Sequence, residues 1–478
     1  MRKLPSTLIP PTFALLASLA VTTARSAETT QGPEAPAAPA ASPTESPTAA
    51  AGDERLTVYQ SFRRAFFAGE YEAALPLATQ VVELTRTQYG AEAPQMANPL
   101  TNLGTTYYRM GNYDAALDNY RAALQLLDLQ GEAANEQLVR PLHGMGAALR
   151  AQQRDADAIA PLKRAVEILR NRQGLHSVSQ MPLLRELIGC YMSTGRMAEA
   201  GREQQYAFGV AETAYGKDDV RMLGPLQDYA AWHEAGGRYT AARVLYVRAI
   251  EVADKQLGAS NLQAVPALRG VARTYRLAYV FGEAEEQAQS ALTLQEQVSP
   301  NLIARAATAP SSEGERALRN ALDRLAAAPV PQQQVRGSVL IDLGDWYLTA
   351  GLPPRAMSTY RDAWNALGAE AASKALGLPA PVVYRPPQAA VSRHQYDASD
   401  HEEQDVLLRL NIEADGDVRE AIVTNPAPQR EAVEKAVITA VKRAQWRPAF
   451  REGEPVAMPE LAFREPVYVR RPKETKVK

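Results

Sequence analysis

Small and aromatic residues return along this chain at a fixed interval of 42 from residue 55 onward. The clearest unit reads Leu100-Thr-Asn-Leu103-Gly104-Thr-Thr-Tyr107-Tyr-Arg-Met-Gly111-Asn-Tyr113-Asp-Ala-Ala116-Leu-Asp-Asn-Tyr120-Arg-Ala-Ala123. The spacing predicts two antiparallel helices. Gly104 and Ala116 lack bulk, so the helices can approach closely, Gly111 relieves the turn, and Tyr107 and Tyr120 fill the volume between hairpins. The Ala116 position maps to Ala74, Ala158, Ala200, Ala242 and Ala284, and the Ala123 position to Val81, Ala165, Ala207, Ala249 and Ala291. The turn position maps to Gly69, Gln153, Gly195, Gly237 and Tyr279. Six in-register units are expected over residues 55–298, and a seventh, out of step, over 337–376 with Leu343-Gly344, Tyr347, Gly351, Ala356, Tyr360 and Ala363. Between them, residues 299–336 carry Pro300, Pro310, Pro329 and Pro331 around one helical stretch, 313–327. This reads as an irregular helical insertion, either a helix pair or a hinge.

A Pro-containing linker is expected over 377–404, after which the period changes from helical to alternating. Leu408, Leu410 and Ile412 alternate with polar residues as in a half-buried strand, and Asp415-Gly416 predicts a hairpin turn. Val433, Ala436, Val437, Ala440, Val441 and Ala444 mark one face of a helix. Gly453 turns the chain, and 461–469 reads as a last strand. Residues 405–470 thus have the order β-β-α-β, with a basic tail at 471–478.

The helical units closely resemble tetratricopeptide repeats through Leu103-Gly104, Tyr107, Gly111, Ala116, Tyr120 and Ala123. A period of 42 exceeds the usual 34 and predicts longer helices or connections. The C-terminal stretch resembles the TonB C-terminal domain through Leu410-Asn411-Ile412, Asp415-Gly416-Asp417-Val418, Gln445-Trp446-Arg447-Pro448-Ala449 and Gly453-Glu454-Pro455-Val456. It departs from that family in the compressed spacing of Trp446-Arg447-Pro448-Ala449 and in offering only Tyr384-Arg385-Pro386-Pro387 for the opening Tyr-Pro segment. The expected fold is therefore mainly α: a tetratricopeptide-repeat superhelix followed by a small α+β TonB-like domain. The resemblance implies β-strand addition, in which an edge strand pairs with an extended peptide of an outer-membrane receptor.

The N-terminus reads as a secretory signal over residues 1–27, with Arg2 and Lys3, an apolar run at 8–21, and Ala24-Arg25-Ser26. The run is short for a membrane span and contains Pro10-Pro11, so cleavage and a periplasmic location are expected; a retained anchor facing the periplasm is the alternative. Residues 28–54, rich in Ala, Pro, Thr and Glu, are expected to be a disordered spacer. The single cysteine, Cys190, excludes an intrachain disulfide and reads as a small buried residue.

Motifs for catalysis, metals or phosphate binding are missing from the pattern: His143, His176, His233, His394 and His401 show no ligand spacing, and Gly144-Met145-Gly146 lies within a helical repeat. No enzyme activity and no cofactor are expected. A net charge of −2 gives no global reason to expect nucleic acid. In tetratricopeptide arrays the first helix of each hairpin lines the concave face. Reading the face positions across the six units gives Arg63, Arg109, Arg140, His143, Arg150, Arg185, Arg269, Arg273 and Arg276, against one acid, Glu234. The chain holds 52 basic and 54 acidic residues, so the bias is positional. Guanidinium groups grip carboxylates in a bidentate fork, which points to an acidic or C-terminal carboxylate-bearing peptide; the competing reading is that these arginines pair with acids on neighbouring helices. Tyr59, Phe66, Phe67 and Tyr108 add an aromatic patch in the first two units. The sequence reading is a non-enzymatic cell-envelope scaffold that binds protein partners through the repeat groove and a strand-pairing domain; the alternative is a membrane-anchored TonB-type energy transducer for outer-membrane transport.

Overall fold

The computed structural model describes residues 47–129, 136–282, 312–387, 401–427 and 430–470, which fall into two compact units divided after Gly216. The expected signal, spacer residues 28–46, Ala284, Ala291, Pro300, Pro310, His394 and the basic tail lie outside the described residues. Among the described residues no helix is long and apolar enough to cross a membrane.

The N-terminal unit consists of four hairpins: α1 (Pro47–Phe67) with α2 (Tyr71–Tyr89), α3 (Ala97–Arg109) with α4 (Tyr113–Asp128), α5 (Val139–Ala151) with α6 (Asp155–Gln173), and α7 (Met181–Ser193) with α8 (Met197–Tyr215). Helix α1 begins inside the stretch expected to be a disordered spacer. Pro47 stands at the first helical position, where a missing N–H is harmless, and the alanines after it favour helix. The 42-residue period has a structural account. First helices α3, α5 and α7 have 13 residues, second helices α2, α6 and α8 have 19, and a 3-10 turn precedes each of these first helices, at Pro94–Met96, Glu136–Leu138 and Val178–Gln180. Pro99, Pro141 and Pro182 lie in the opening turns of those helices.

Close approach within the hairpins follows the small residues. Ala74, Ala116, Ala158 and Ala200 are each 0% exposed. A Cβ added at Gly104 would lie 3.1 Å from the Ala116 carbonyl oxygen. Tyr120, 1% exposed, fills the gap to the following hairpin: a Cβ on Gly144 would come within 2.3 Å of its ring, and one on Gly146 within 2.6 Å of Leu162. Gly144-Met145-Gly146 is thus a packing device.

The C-terminal unit opens with α9 (Leu223–Ala235), α10 (Tyr239–Leu257) and α11 (Val265–Phe281), again with 3-10 turns, Val220–Met222 and Leu262–Ala264, before α9 and α11. The turn expected at Tyr279 is absent. Helix α11 runs through it to Phe281 and closes at Gly282, where φ is +73°, a left-handed value that an aromatic residue adopts only at a cost. Next come α12 (Ser312–Ala326), α13 (Gln333–Thr349), α14 (Pro353–Leu367) and α15 (Ala369–Leu376). Helix α12 lies where a helical stretch, 313–327, was expected within 299–336. It packs between α11 and α13 as the second helix of a regular hairpin does, with Gly314 against Trp346. Arg324, 6% exposed, grips Asp254 of α10 through both terminal guanidinium nitrogens, Nη1 and Nη2, at 2.7 and 2.9 Å and donates to the Asn261 carbonyl at 3.2 Å. On the other side the Tyr347 hydroxyl bridges Arg319 and Glu315 at 2.9 Å each.

The expected linker also contains structure. Strand β1 (Ala380–Val383) pairs antiparallel with β4 (Gln445–Arg447), and β2 (His401–Ile412) starts before residue 405. The central sheet has the order β3-β2-β7, with β3 at Val418–Val423 and β7 at Met458–Arg470; β5 (Ala449–Arg451) and β6 (Glu454–Val456) form a separate hairpin. Helix α16 (Glu431–Arg443) covers the sheet. Leu408, Leu410 and Ile412 are buried as their alternation requires, with Val437, Val441 and Trp446 and, from the expected linker, Tyr384. Gly416 holds the β2–β3 turn at φ +93°, where a Cβ would sit 2.1 Å from the Trp446 carbonyl oxygen.

In the last hairpin a Cβ on Gly344 would meet the Tyr360 ring at 2.3 Å. Gly344→Val should therefore destabilise the C-terminal unit by about 2–3 kcal/mol through overpacking, read as a lowered midpoint in urea unfolding.

Candidate functional site: the first-helix faces

In the N-terminal unit the predicted residues divide by what they touch. His143 Nε2 lies 3.0 Å from Glu186 Oε1, and Arg150 Nε donates to Asp155 Oδ1 at 3.3 Å. Gly189 makes room for the Arg150 guanidinium, 3.0 Å from where its Cβ would be. Arg63, Arg109, Arg140 and Arg185 are exposed. Arg63 lies over the Phe67 ring at 5.5 Å, and Arg140 donates to Asn102 Oδ1 at 2.9 Å. Arg109 and Arg140 both act electrostatically on the Tyr120 hydroxyl, whose pKa burial raises and these cations partly lower. Of the aromatic patch, Phe67 is the open member, 75% exposed, while Phe66 stacks edgewise on it and on Tyr71. Cys190 is fully buried; burial pushes its thiol up to about 12, so it stays protonated.

In the C-terminal unit the predicted arginines are engaged by the chain itself. Arg273 pairs with Glu234 and donates to the Tyr246 hydroxyl at 3.2 Å. Burial alone would loosen its proton, but Glu234, Tyr246 and Asp342 outweigh this and hold the group charged. Arg269 pairs with Asp342. Arg276 donates to the carbonyl of Val382 in β1 at 3.1 Å, and Arg385 donates back to Val280 O at 2.6 Å and Tyr279 O at 3.3 Å, at the carbonyl end of α11. An extended segment of this chain therefore lies on the first-helix face of α11 and α13. His233 is 3% exposed; burial, then Arg238, lowers its pKa to about 3, so the ring is neutral. Among the described residues no group of three His, Cys, Asp or Glu is placed to hold a metal ion.

Three functional groups escaped the reading of six in-register units. Asp345, on α13, stands at the repeat position that holds Thr105 in α3 and Arg273 in α11. Arg447 Nη1 reaches both of its oxygens, at 3.1 and 3.4 Å, and the Tyr360 hydroxyl donates to it at 2.8 Å. The seventh unit's own register was the signal that marks Asp345. The third group is Glu465 on β7, opposite the fully buried Val406. Burial raises its carboxyl to about 7, and the neighbouring Tyr384 hydroxyl offsets part of the effect.

The tetratricopeptide repeat family model matches residues 65–129 and 96–171; repeats of this kind are generally non-enzymatic scaffolds for protein–protein interaction. No curated protein matches the sequence. Similar solved structures include a Podosopora anserina putative kinesin light chain with nearly identical TPR-like repeats (17% identity, TM-score 0.40, covering 45% of this chain and 99% of that one). BtubC (BKLC) from P. vanneervenii matches at 12% identity with a TM-score of 0.37, covering 54% and 88%. The apo form of RapI matches at 14% with a TM-score of 0.41, covering 66% and 97%.

Glu465 gives the C-terminal unit a pH dependence of definite sign. Its folded pKa, about 7, lies above the ordinary 4.5, so the folded state holds a proton that the unfolded chain has released between those values. Stability is then greatest at low pH and falls as pH rises to about 7. Glu465→Gln should match the parent near pH 4 and exceed it at pH 8 by up to about 3 kcal/mol, measured by urea unfolding at both pH values.

Proposed function

We propose that this protein is an exported, non-enzymatic scaffold of the bacterial cell envelope that captures extended segments of partner proteins on its first-helix faces. The observation that carries the reading is β1: an extended strand rests on the first-helix face of the C-terminal unit, with a main-chain carbonyl taken by Arg276. The equivalent face of the N-terminal unit offers exposed Arg109 and Arg140. Charged forks of this kind suit an acidic or C-terminal carboxylate-bearing peptide. The β3-β2-β7 sheet, with β7 at its edge, supplies the strand-pairing element that the TonB-like residues suggest, for an outer-membrane receptor segment.

The paired change Arg109→Glu with Arg140→Glu should weaken binding of a fluorescent peptide ending in Glu-Asp-Val by about ten- to a hundredfold and flatten its salt dependence. Anisotropy titrations at two salt concentrations check this, and equal affinity would refute capture of acidic partners by that face. Export predicts a mature chain in the periplasmic fraction that starts near Glu28; mass spectrometry finding an intact Met1 would overturn the cleaved-signal reading.

A further inference from the structure

We propose that Asp345 and Tyr360 form an arginine-recognition pocket on the first-helix face of the C-terminal unit, filled in cis by Arg447 and in trans by an arginine in an extended segment of a partner. The inference rests on the reading that these faces capture extended segments, and it assigns to this one a chemistry opposite to that of the N-terminal unit.

Strand β4 explains how the chain fills its own pocket. Successive side chains on a strand point to opposite sides. Trp446 accordingly enters the core of the α+β domain, while Arg447 turns to the helices. There the guanidinium meets Asp345 and lies 5.9 Å from the centre of the Tyr360 ring. Both partners are well shielded, with side-chain exposures of 9% for Arg447 and 15% for Asp345. Without a cation Asp345 keeps the Tyr360 hydroxyl as a donor, so the pocket stands ready when empty. The contacts around it are those of a docked ligand: the Arg276 bond to Val382, the Arg361–Glu454 pair at 2.8 Å, and the Tyr360–Phe450 ring contact at 5.7 Å. Arg361 and Glu454 are solvent-exposed, and an exposed pair contributes little. Arg447 Nε finds no acceptor, so the cis occupant leaves one of its donors unused. A partner with a better-matched arginine can compete.

The test uses the full chain and a labelled probe peptide, Ala-Gln-Trp-Arg-Pro-Ala-Phe, the sequence of residues 444–450. Arg447→Met removes the cis guanidinium and leaves Asp345 hydrogen-bonded to Tyr360. The expected result is probe binding at least about tenfold tighter to the Arg447→Met chain than to the parent, lost when the probe's arginine is leucine or when Asp345→Asn is added. A second variant, Glu454→Arg, weakens docking from the surface; it should raise probe affinity in the same direction, and the swap with Arg361→Glu should restore the parent value. Equal binding of the arginine and leucine probes to the Arg447→Met chain overturns the pocket, as does unchanged affinity in Glu454→Arg when hydrogen exchange shows β4 released. The acidic-peptide titrations address a different face, so their failure leaves this result standing, and the reverse holds too.

Discussion

Close approach of two helices at a small side chain is the constraint on which both units depend. An alanine at the crossing brings the backbones near enough for the aromatic ring one turn further along to bridge to the next hairpin. Tyr120 does this over Gly144, and Tyr360 packs against Gly344 within its own hairpin. Interiors are packed at crystal-like density, so the spacing tolerates little change in volume. Since each hairpin buries its faces only against neighbours, the register of every hairpin depends on that of the adjacent ones within its unit. The pairing of polar groups follows from this spacing. A long arginine on one first helix reaches an acid on the next because the hairpins stand at a repeatable distance, as Arg269 and Arg273 do toward Asp342 and Glu234.

The C-terminal unit shows what happens when such a face is closed by the chain itself. A buried ion pair loses solvation on both sides and gains stability only with good geometry and further hydrogen bonds. Arg447 and Asp345 have a third partner in Tyr360. Removing one charge from such a group is costly, which makes the pair a strong determinant of where the α+β domain sits. Around it the contacts are mixed: Phe450, 1% exposed, packs on the Tyr360 ring, Arg276 and Arg385 bond to main-chain carbonyls, and one ion pair is exposed.

Much of the fold was legible in the sequence because its cause is local. The alanines, the turn glycines and the alternation of Leu408, Leu410 and Ile412 act within a few residues of where they stand. The sixth hairpin was not legible, because α12 joins α11 across a sequence gap that no periodic pattern bridges. Long-range contacts hold it there, among them Arg324 meeting Asp254 from 70 positions away. Tyr279 misled for a related reason: the repeat assigns a turn there, but an aromatic residue disfavours the required left-handed backbone and the helix continued. The rows of arginines were legible in the sequence; the groups that engage them were not. Position along the helix tells which side chains face inward, whereas the acids that pair with them come from other repeats, and the carbonyl that Arg276 bonds comes from a strand more than a hundred residues away.

The distribution of charge between the two faces carries a functional argument. Guanidinium groups on the N-terminal unit's first helices include several exposed to solvent, among them Arg109 and Arg140. On the C-terminal unit Arg273 and Arg269 are paired with Glu234 and Asp342 and Arg276 is held by a main-chain carbonyl, and the next first helix, α13, inverts the sign by placing Asp345 where α11 has Arg273. An acidic segment approaching that face would meet spent arginines and a carboxylate, and like charges in a shielded site repel strongly. A basic segment meets the opposite situation, provided it replaces Arg447. On the proposed reading the two faces would thus favour partners of opposite charge, even though one repeat builds both.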